Sequence, residues 1–161
     1  MNLRPAGVAD AEAFAALYAA NRDFLAPFDP IRPDDFYTAE GQRARLARSI
    51  GTYAILDDAE IAGTLGISNV VLGAFRSANV GYWVTADRNG RGLATRAVAA
   101  AIEIAFGELG LHRLEAATLV ENVASQRVLE KNGFERIGLA PRYLLIAGAW
   151  RDHILYQRLA D

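Results

Sequence analysis

Cysteine is absent from the 161 residues, and histidine occurs only twice. The first absence excludes disulfides, thiolate metal sites and a cysteine-linked acyl-enzyme. His112 and His153 lie far apart and belong to no spaced ligand set, so no metal site is expected. No apolar run approaches the roughly 18 residues of a membrane-spanning helix. The opening Met1-Asn2-Leu3-Arg4-Pro5-Ala6 holds no secretory leader core, which makes a cytoplasmic location the expectation. Net charge is only −2. A chain so balanced has no general attraction for nucleic acid or anionic membrane, and any basic feature must act locally.

What is present is ordinary globular stock, 52% hydrophobic and 22% charged, which suits one domain over 1–161. Leu3-Arg4-Pro5 reads as a short strand, and Asp10 can cap a helix with Phe14, Leu17 and Tyr18 on one face. Pro27, Pro30 and Pro33 make an irregular segment before a second helix over 38–50. A hairpin follows, with strands over 52–56 and 61–71 and possible bulges at Gly63 and Gly66. Further strands are expected over 79–84, 112–120, 134–139, 143–146 and 150–158, and helices over 92–109 and 122–132, closed by Gly110 and Gly133. Strand and helix alternate only in the middle of the chain. The fold class is therefore α/β of the α+β kind, a mixed, mostly antiparallel sheet of about seven strands with flanking helices.

The most informative stretch is Val80 to Thr95, where a strand enters a loop with two glycines and two arginines and a long helix follows at once. The start of such a helix offers unpaired N–H groups and a positive dipole end, a place for phosphate. Gly90-Arg91-Gly92 lacks the third glycine of a dinucleotide fingerprint, and no Gly-Lys-Ser/Thr of a Walker loop is present. A tight turn could still wrap a pyrophosphate with its N–H groups while Arg88 and Arg91 add charge. On its glycines alone, the segment reads equally well as a plain strand-to-helix turn with solvated arginines.

Segment 80–109 resembles the acetyl-coenzyme A motif of the GNAT acyltransferases, Gln/Arg-x-x-Gly-x-Gly/Ala. Gly92-Leu93-Ala94 fits that pattern, and Asn89 departs from it at the first position. Glu121 to Phe134 resembles the second signature, Asn-x-x-Ser followed by a helix and Gly-Phe, with Asn122 and Ser125 at the matching places. The tail Tyr143 to Leu155 and the stretch Ile67 to Gly73 are similar to one branch, the Rim-type ribosomal-protein alanine N-acetyltransferases of the RimJ kind. The likeness spans about residues 60–156; the N-terminal third matches only in general layout.

The resemblance implies a GNAT fold whose central strands splay to hold acetyl-CoA as the donor substrate. Tyr82, Trp83 and Val84 would flank the pantetheine arm, with one main-chain N–H as oxyanion donor. Arg88, Asn89, Gly90, Arg91, Gly92, Leu93, Ala94 and Thr95 would grip the pyrophosphate. Asn122, otherwise simply a helix cap, would bind pantetheine amides. Ser125 would be the catalytic partner of the leaving thiolate, by hydrogen bonding more than by full proton donation. The expected reaction is direct attack by an amine in a ternary complex.

An α-amine, with a pKa of about 7.7–8.0, is roughly one-tenth neutral at pH 7, whereas a lysine amine is neutral about once in 2,500. A protein N-terminus therefore needs little help from a base. The candidate carboxylates, Asp34, Asp35, Glu40, Glu121 and Asp152, are scattered, and none is singled out. His112 and His153 read as packed or hydrogen-bonded residues. Arg43, Arg45 and Arg48 read as a solvated face, with an anionic partner such as ribosomal RNA as the other reading. Three functions stay open: acetylation of a protein N-terminus such as a ribosomal alanine or serine, acetylation of a small amine, and a coenzyme A-binding module without turnover. No direct nucleic-acid or membrane partner is expected, and the chain is expected to be a monomer or homodimer.

Overall fold

In the computed structural model, which describes residues 2–161, seven strands form one sheet. They are β1 (Leu3–Pro5), β2 (Thr52–Asp57), β3 (Glu60–Val71), β4 (Ser77–Val84), β5 (Arg113–Leu119), β6 (Glu135–Ile146) and β7 (Ala149–Leu159). Their order is β1-β2-β3-β4-β5-β7-β6, antiparallel throughout except for the parallel pair β4 and β5. The expected mixed, mostly antiparallel architecture is what the chain adopts. Short turns suffice for the antiparallel pairs, and only β4 to β5 needs a crossover long enough to carry a helix.

Five helices flank the sheet: α1 (Ala11–Ala20), α2 (Arg22–Leu25), α3 (Ala39–Arg48), α4 (Leu93–Glu103) and α5 (Val123–Lys131). They create two cores, one on each face. On one face, Leu93, Val98 and Ala101 of α4 and Leu129 of α5 pack on Leu65, Val80, Val84, Leu114 and Ile154. Full burial of each such leucine stabilises by about 1.5–3 kcal/mol. On the other face, Phe14 and Tyr18 of α1 and Leu46 of α3 pack with Phe36, Ala54 and Trp83. Strand alternation divides β4 accordingly: Tyr82 and Val84 face α4 and α5, while Trp83 faces α1 and α3.

Several local expectations are corrected. Asp10 does not cap α1 with its side chain; it accepts from the Gly7 N–H at 2.9 Å and from Arg4, and so caps the preceding turn. Of the two glycines expected at bulges, Gly66 pairs in regular register with Thr52 and Gly81, while Gly63 adjoins the shift that leaves Ala62 unpaired with β2. Gly63 serves close approach instead: a Cβ there would lie 2.1 Å from the Trp83 carbonyl oxygen. The helix expected to run to Leu109 loosens after Glu103, where Leu109 N–H reaches Ile104 oxygen, before Gly110 ends it at φ +60°.

The strands expected over 134–139 and 143–146 are one, β6. Its pairing to β7 slips between Ala140 and Leu144, where Pro141 has no N–H and Arg142 has φ +47°. The Asp152 carboxylate accepts the Arg142 N–H at 2.8 Å, and pairing then resumes with the same partner strand. Among the described residues, no helix is long and apolar enough to cross a membrane.

Candidate active site

Parallel pairing between β4 and β5 covers only Ser77–Asn79 against Arg113–Glu115. Beyond it Val80–Val84 and Ala116–Leu119 part, and the slit between them opens into a cavity of about 830 Å³. Thr85 N–H donates to Ala62 oxygen, and Trp83 pairs with Thr64, so the main-chain groups of 81, 83 and 85 turn toward β3. The alternation turns those of Tyr82 and Val84 into the slit, where no strand meets them. An extended, amide-bearing chain fits such an opening, because unpaired strand groups demand hydrogen-bond partners.

On the α4/α5 side, Tyr82 and Ser125 meet. The Tyr82 hydroxyl lies 2.9 Å from Ser125 Oγ and 3.2 Å from the Ser125 carbonyl oxygen. Burial pushes the Tyr82 pKa up to about 12, against the opposing effect of the Ser125 hydrogen bond. The phenol therefore keeps its proton at neutral pH and remains a donor. Asn122 Oδ1 accepts the Ser125 N–H at 3.2 Å, the cap expected of it, and fixes the first turn of α5 beneath the slit. Gln126 Nε2 braces the strand-to-helix connection by donating to the Val120 oxygen at 3.0 Å. Asn132 Nδ2 ties the end of α5 to the Thr95 oxygen of α4.

The loop from Thr85 to Gly92 delivers the α4 N-terminus to the end of β4. Gly90 and Gly92 hold φ of +76° and +74°, left-handed values that residues with a Cβ rarely adopt. The first intrahelical bond runs from Arg96 N–H to Gly92 oxygen. The N–H groups of Leu93, Ala94 and Thr95 are thus the orphan donors of the first turn, a backbone cradle suited to phosphate. Arg88 and Arg91 have partners of their own. Arg88 pairs with Glu60 and, at 3.6 Å, with Asp57, and Arg91 reaches Asp57 at 2.6 Å. Both guanidinium groups brace the loop against the β2–β3 turn. Asn89, the departure from the motif, directs Nδ2 at the Val84 oxygen from 3.5 Å.

The α1/α3 side of the cavity is built from distant parts of the chain. Tyr18 packs on Trp83, ring centroids 5.1 Å apart, and on Phe36 at 4.7 Å. Arg45 lies 5.8 Å over Tyr18 and 5.5 Å over Phe36, donates to Gln42 Oε1 at 3.3 Å, and has no carboxylate partner among the described residues. Arg43 and Arg48 are exposed on α3, so the three arginines do not act as one cluster. Arg32 is held by Asp29 through two hydrogen bonds of 3.0 and 3.1 Å, and Ala147 N–H fastens the β6–β7 turn to the Asp29 oxygen.

None of the five candidate carboxylates lines the cavity; its one carboxylate is Asp29. Asp34 pairs with Arg22, Glu121 with Arg151, and Asp152 closes the β6 irregularity. His153, by contrast, is buried in the cavity wall. The sequence reading singled out Trp83, Asn122 and Ser125, which line the cavity, and Val84 and the 88–95 loop, which do not. It missed the Tyr82–Ser125 bond, since no motif joins a strand residue to a helix residue 43 positions on. It also missed Tyr18, Asp29, Arg32 and the cavity position of Arg45, which only tertiary contact assembles.

Residues 1–135 match the acetyltransferase (GNAT) domain family model. The chain is 40% identical to the probable N-acetyltransferase YjcK of Bacillus subtilis, covering 94% of this chain and 89% of that protein. It is 36% identical to the ribosomal protein uS5-alanine N-acetyltransferase of Escherichia coli, over 91% and 80% of the two chains. Among solved structures, the ribosomal-protein-S5-alanine acetyltransferase of Vibrio fischeri superposes with a TM-score of 0.94 at 34% identity, covering 99% and 92%. Mycobacterium smegmatis RimJ in complex with CoA-disulfide superposes with a TM-score of 0.91 at 37% identity, covering 98% and 81%.

Proposed function

Because the chain belongs to the GNAT acetyltransferase family, whose donor is acetyl-CoA, we propose that this N-acetyltransferase acts on the α-amine at the N-terminus of a protein. An alanine or serine terminus of a ribosomal protein is the favoured acceptor. Two of its relatives are named for such an alanine. The observation that carries the reading is the charge of the α1/α3 side of the cavity. Its charged side chains are Asp29, Arg32 and Arg45, and Asp29 is already taken by Arg32. A polyamine or aminoglycoside needs unpaired carboxylates, which this wall does not offer. A peptide brings carbonyl oxygens that the free Arg45 can meet.

The residues fit the donor as well. The orphan N–H groups opening α4 suit the pyrophosphate, and the unpaired groups of β4 suit the amides of the pantetheine arm. The Val84 or Tyr82 N–H, directed into the slit, serves as the oxyanion donor, a contact typically worth about 3 kcal/mol. Ser125 Oγ, joined to the Tyr82 hydroxyl, stabilises the leaving thiolate. This pair holds its protons at neutral pH, so it offers hydrogen bonds to developing negative charge without first being ionised.

Thiol release from acetyl-CoA in the presence of N-terminal peptides, polyamines and aminoglycosides tests the reading. Alanyl and seryl peptides should exceed every polyamine in kcat/KM by at least about tenfold, or 1.4 kcal/mol. A polyamine turned over as well as the best peptide would sink the acceptor assignment. Acetyl-CoA at 100 times its Kd should also stabilise the fold by about 2.7 kcal/mol.

A further inference from the structure

Resting on the acetyltransferase reading, we propose that His153 is the general base of the reaction, its Nε2 taking the proton that the amine sheds as it attacks. The ring is buried, 3% exposed, on β7 opposite Leu119 of β5. Its Nδ1 lies 2.9 Å from the Arg151 carbonyl oxygen. A carbonyl only accepts, so Nδ1 carries the hydrogen and the neutral ring keeps its lone pair on Nε2. Nε2 has no protein partner among the described residues, and His153 lines the cavity. The Tyr143 ring, 5.8 Å away, packs beside the imidazole.

The position of His153 in the sheet supports the assignment. Ile154 and Tyr156 belong to the α4/α5 core, so alternation along β7 puts His153 on the opposite face, the face of Trp83 and Arg45. Its strand partner Leu119 offers its carbonyl oxygen to Asn122 N–H at 3.0 Å, and Asn122 in turn holds Ser125. The lone pair and the Tyr82–Ser125 hydroxyls thus stand on opposite faces at the same end of the slit. An amine arriving from the α1/α3 side loses its proton on the side it enters, and the thiolate finds donors on the side it leaves.

The other groups around the cavity leave no competitor. Asp29 is engaged by Arg32, Arg45 is a cation, and Tyr18 and Tyr82 are phenols, Tyr82 with its pKa raised. From the flanking strands come Tyr143 of β6 and Arg151 of β7, and Arg151 is paired with Glu121. In the step, the neutral amine nitrogen forms its bond to the thioester carbon and gives a proton to Nε2. The carbon–sulfur bond breaks, and sulfur leaves with the electron pair as a thiolate that accepts hydrogen bonds from the Tyr82–Ser125 hydroxyls, which keep their protons. Water carries the imidazolium proton to the departing thiolate or to solvent, so the step is balanced.

Two measurements on the full chain test the proposal. His153→Gln should lower kcat about 100-fold, leave acetyl-CoA binding by thermal shift unchanged, and flatten the acidic limb of the kcat profile at saturating amine; added imidazole should restore part of the rate to His153→Ala. With only two histidines, nitrogen-15 imidazole spectra of the wild type and of His112→Gln isolate the His153 signals. They should show the Nδ1–H tautomer whether or not either His153 variant folds. An Nε2–H tautomer, an acidic limb retained in the kcat profile of His153→Gln, or a kcat loss under about threefold would overturn the proposal. Wild-type protein inert toward every amine would instead overturn the enzyme reading, whatever the tautomer.

Discussion

The α4/α5 side of the slit works with backbone and with residues from compact stretches of sequence. Its cradle comes from Gly90 to Thr95, and Asn122 and Ser125 sit one helical turn apart. The α1/α3 side works with side chains from α1, the segment after α2, α3, β4 and β7: Tyr18, Arg32, Arg45, Trp83 and His153. One side needs little more than glycine at two left-handed positions and a capped helix. The other depends on an aromatic stack and an unpaired arginine converging from across the fold. The difference fits a division of labour in which a constant donor is held by backbone geometry and a particular acceptor is chosen by side chains.

If that division holds, substitutions on the two sides should separate in kinetics. The largest effect is expected at the chemical centre. Ser125→Ala should lower kcat by about 30- to 100-fold while leaving the acetyl-CoA KM within about threefold. Adding Tyr82→Phe should cost much less than the product of the single losses, because the two hydroxyls act as a unit. Fully multiplicative losses would break the pairing.

Next comes the cradle. A non-glycine residue in the left-handed region costs about 1–2 kcal/mol, and a Cβ on Gly92 would meet Arg96 at 3.2 Å. Gly92→Ala should weaken acetyl-CoA binding by about tenfold in a thermal-shift titration, with the peptide KM unmoved. An equal rise in both constants would erase the distinction between the sides. A smaller effect is expected on the far side, where Arg45→Gln should raise the peptide KM by about fivefold and leave acetyl-CoA binding alone. Improved turnover of peptides and polyamines alike would show that Arg45 does not select.

The smallest effect belongs to neither side. Asp10 caps a turn and pairs with Arg4, whose hydrogen bond holds its carboxyl below the usual carboxylate range. A lowered folded pKa adds stability above the unfolded value of 3.8 and loses it as pH falls through the folded value. Asp10→Ala should therefore cost about 1 kcal/mol at pH 7, converge with wild type in acid, and leave both Michaelis constants unchanged.

The same contrast explains what the residues disclosed in order. Strand alternation, the proline-broken segment and the glycine-closed helices made the sheet and its helices legible. The slit side rests on contiguous stretches that a reader of the chain can recognise. Arg45 could not be separated from Arg43 and Arg48 by spacing, because its difference is tertiary: it alone lies over Tyr18 and Phe36. His153 looked like a packed residue, and it is packed; only the Arg151 carbonyl reveals which nitrogen is left. Two strands were expected where β6 is one, since Pro141 breaks a pattern that the Asp152 carboxylate repairs. Arg88 and Arg91 were legible as charges in the loop before α4, but Asp57 and Glu60 could not be placed beside them without the hairpin.

The three-residue pairing of β4 with β5 also writes a signature into amide hydrogen exchange. Along the upper half of β4, protection should alternate: slow at 81 and 83, which bond to β3, and fast at Tyr82 and Val84, which face the slit. A bound donor would silence the fast pair and leave the slow pair as it was. One edge of a single strand is thereby an occupancy gauge, with its own reference readings interleaved.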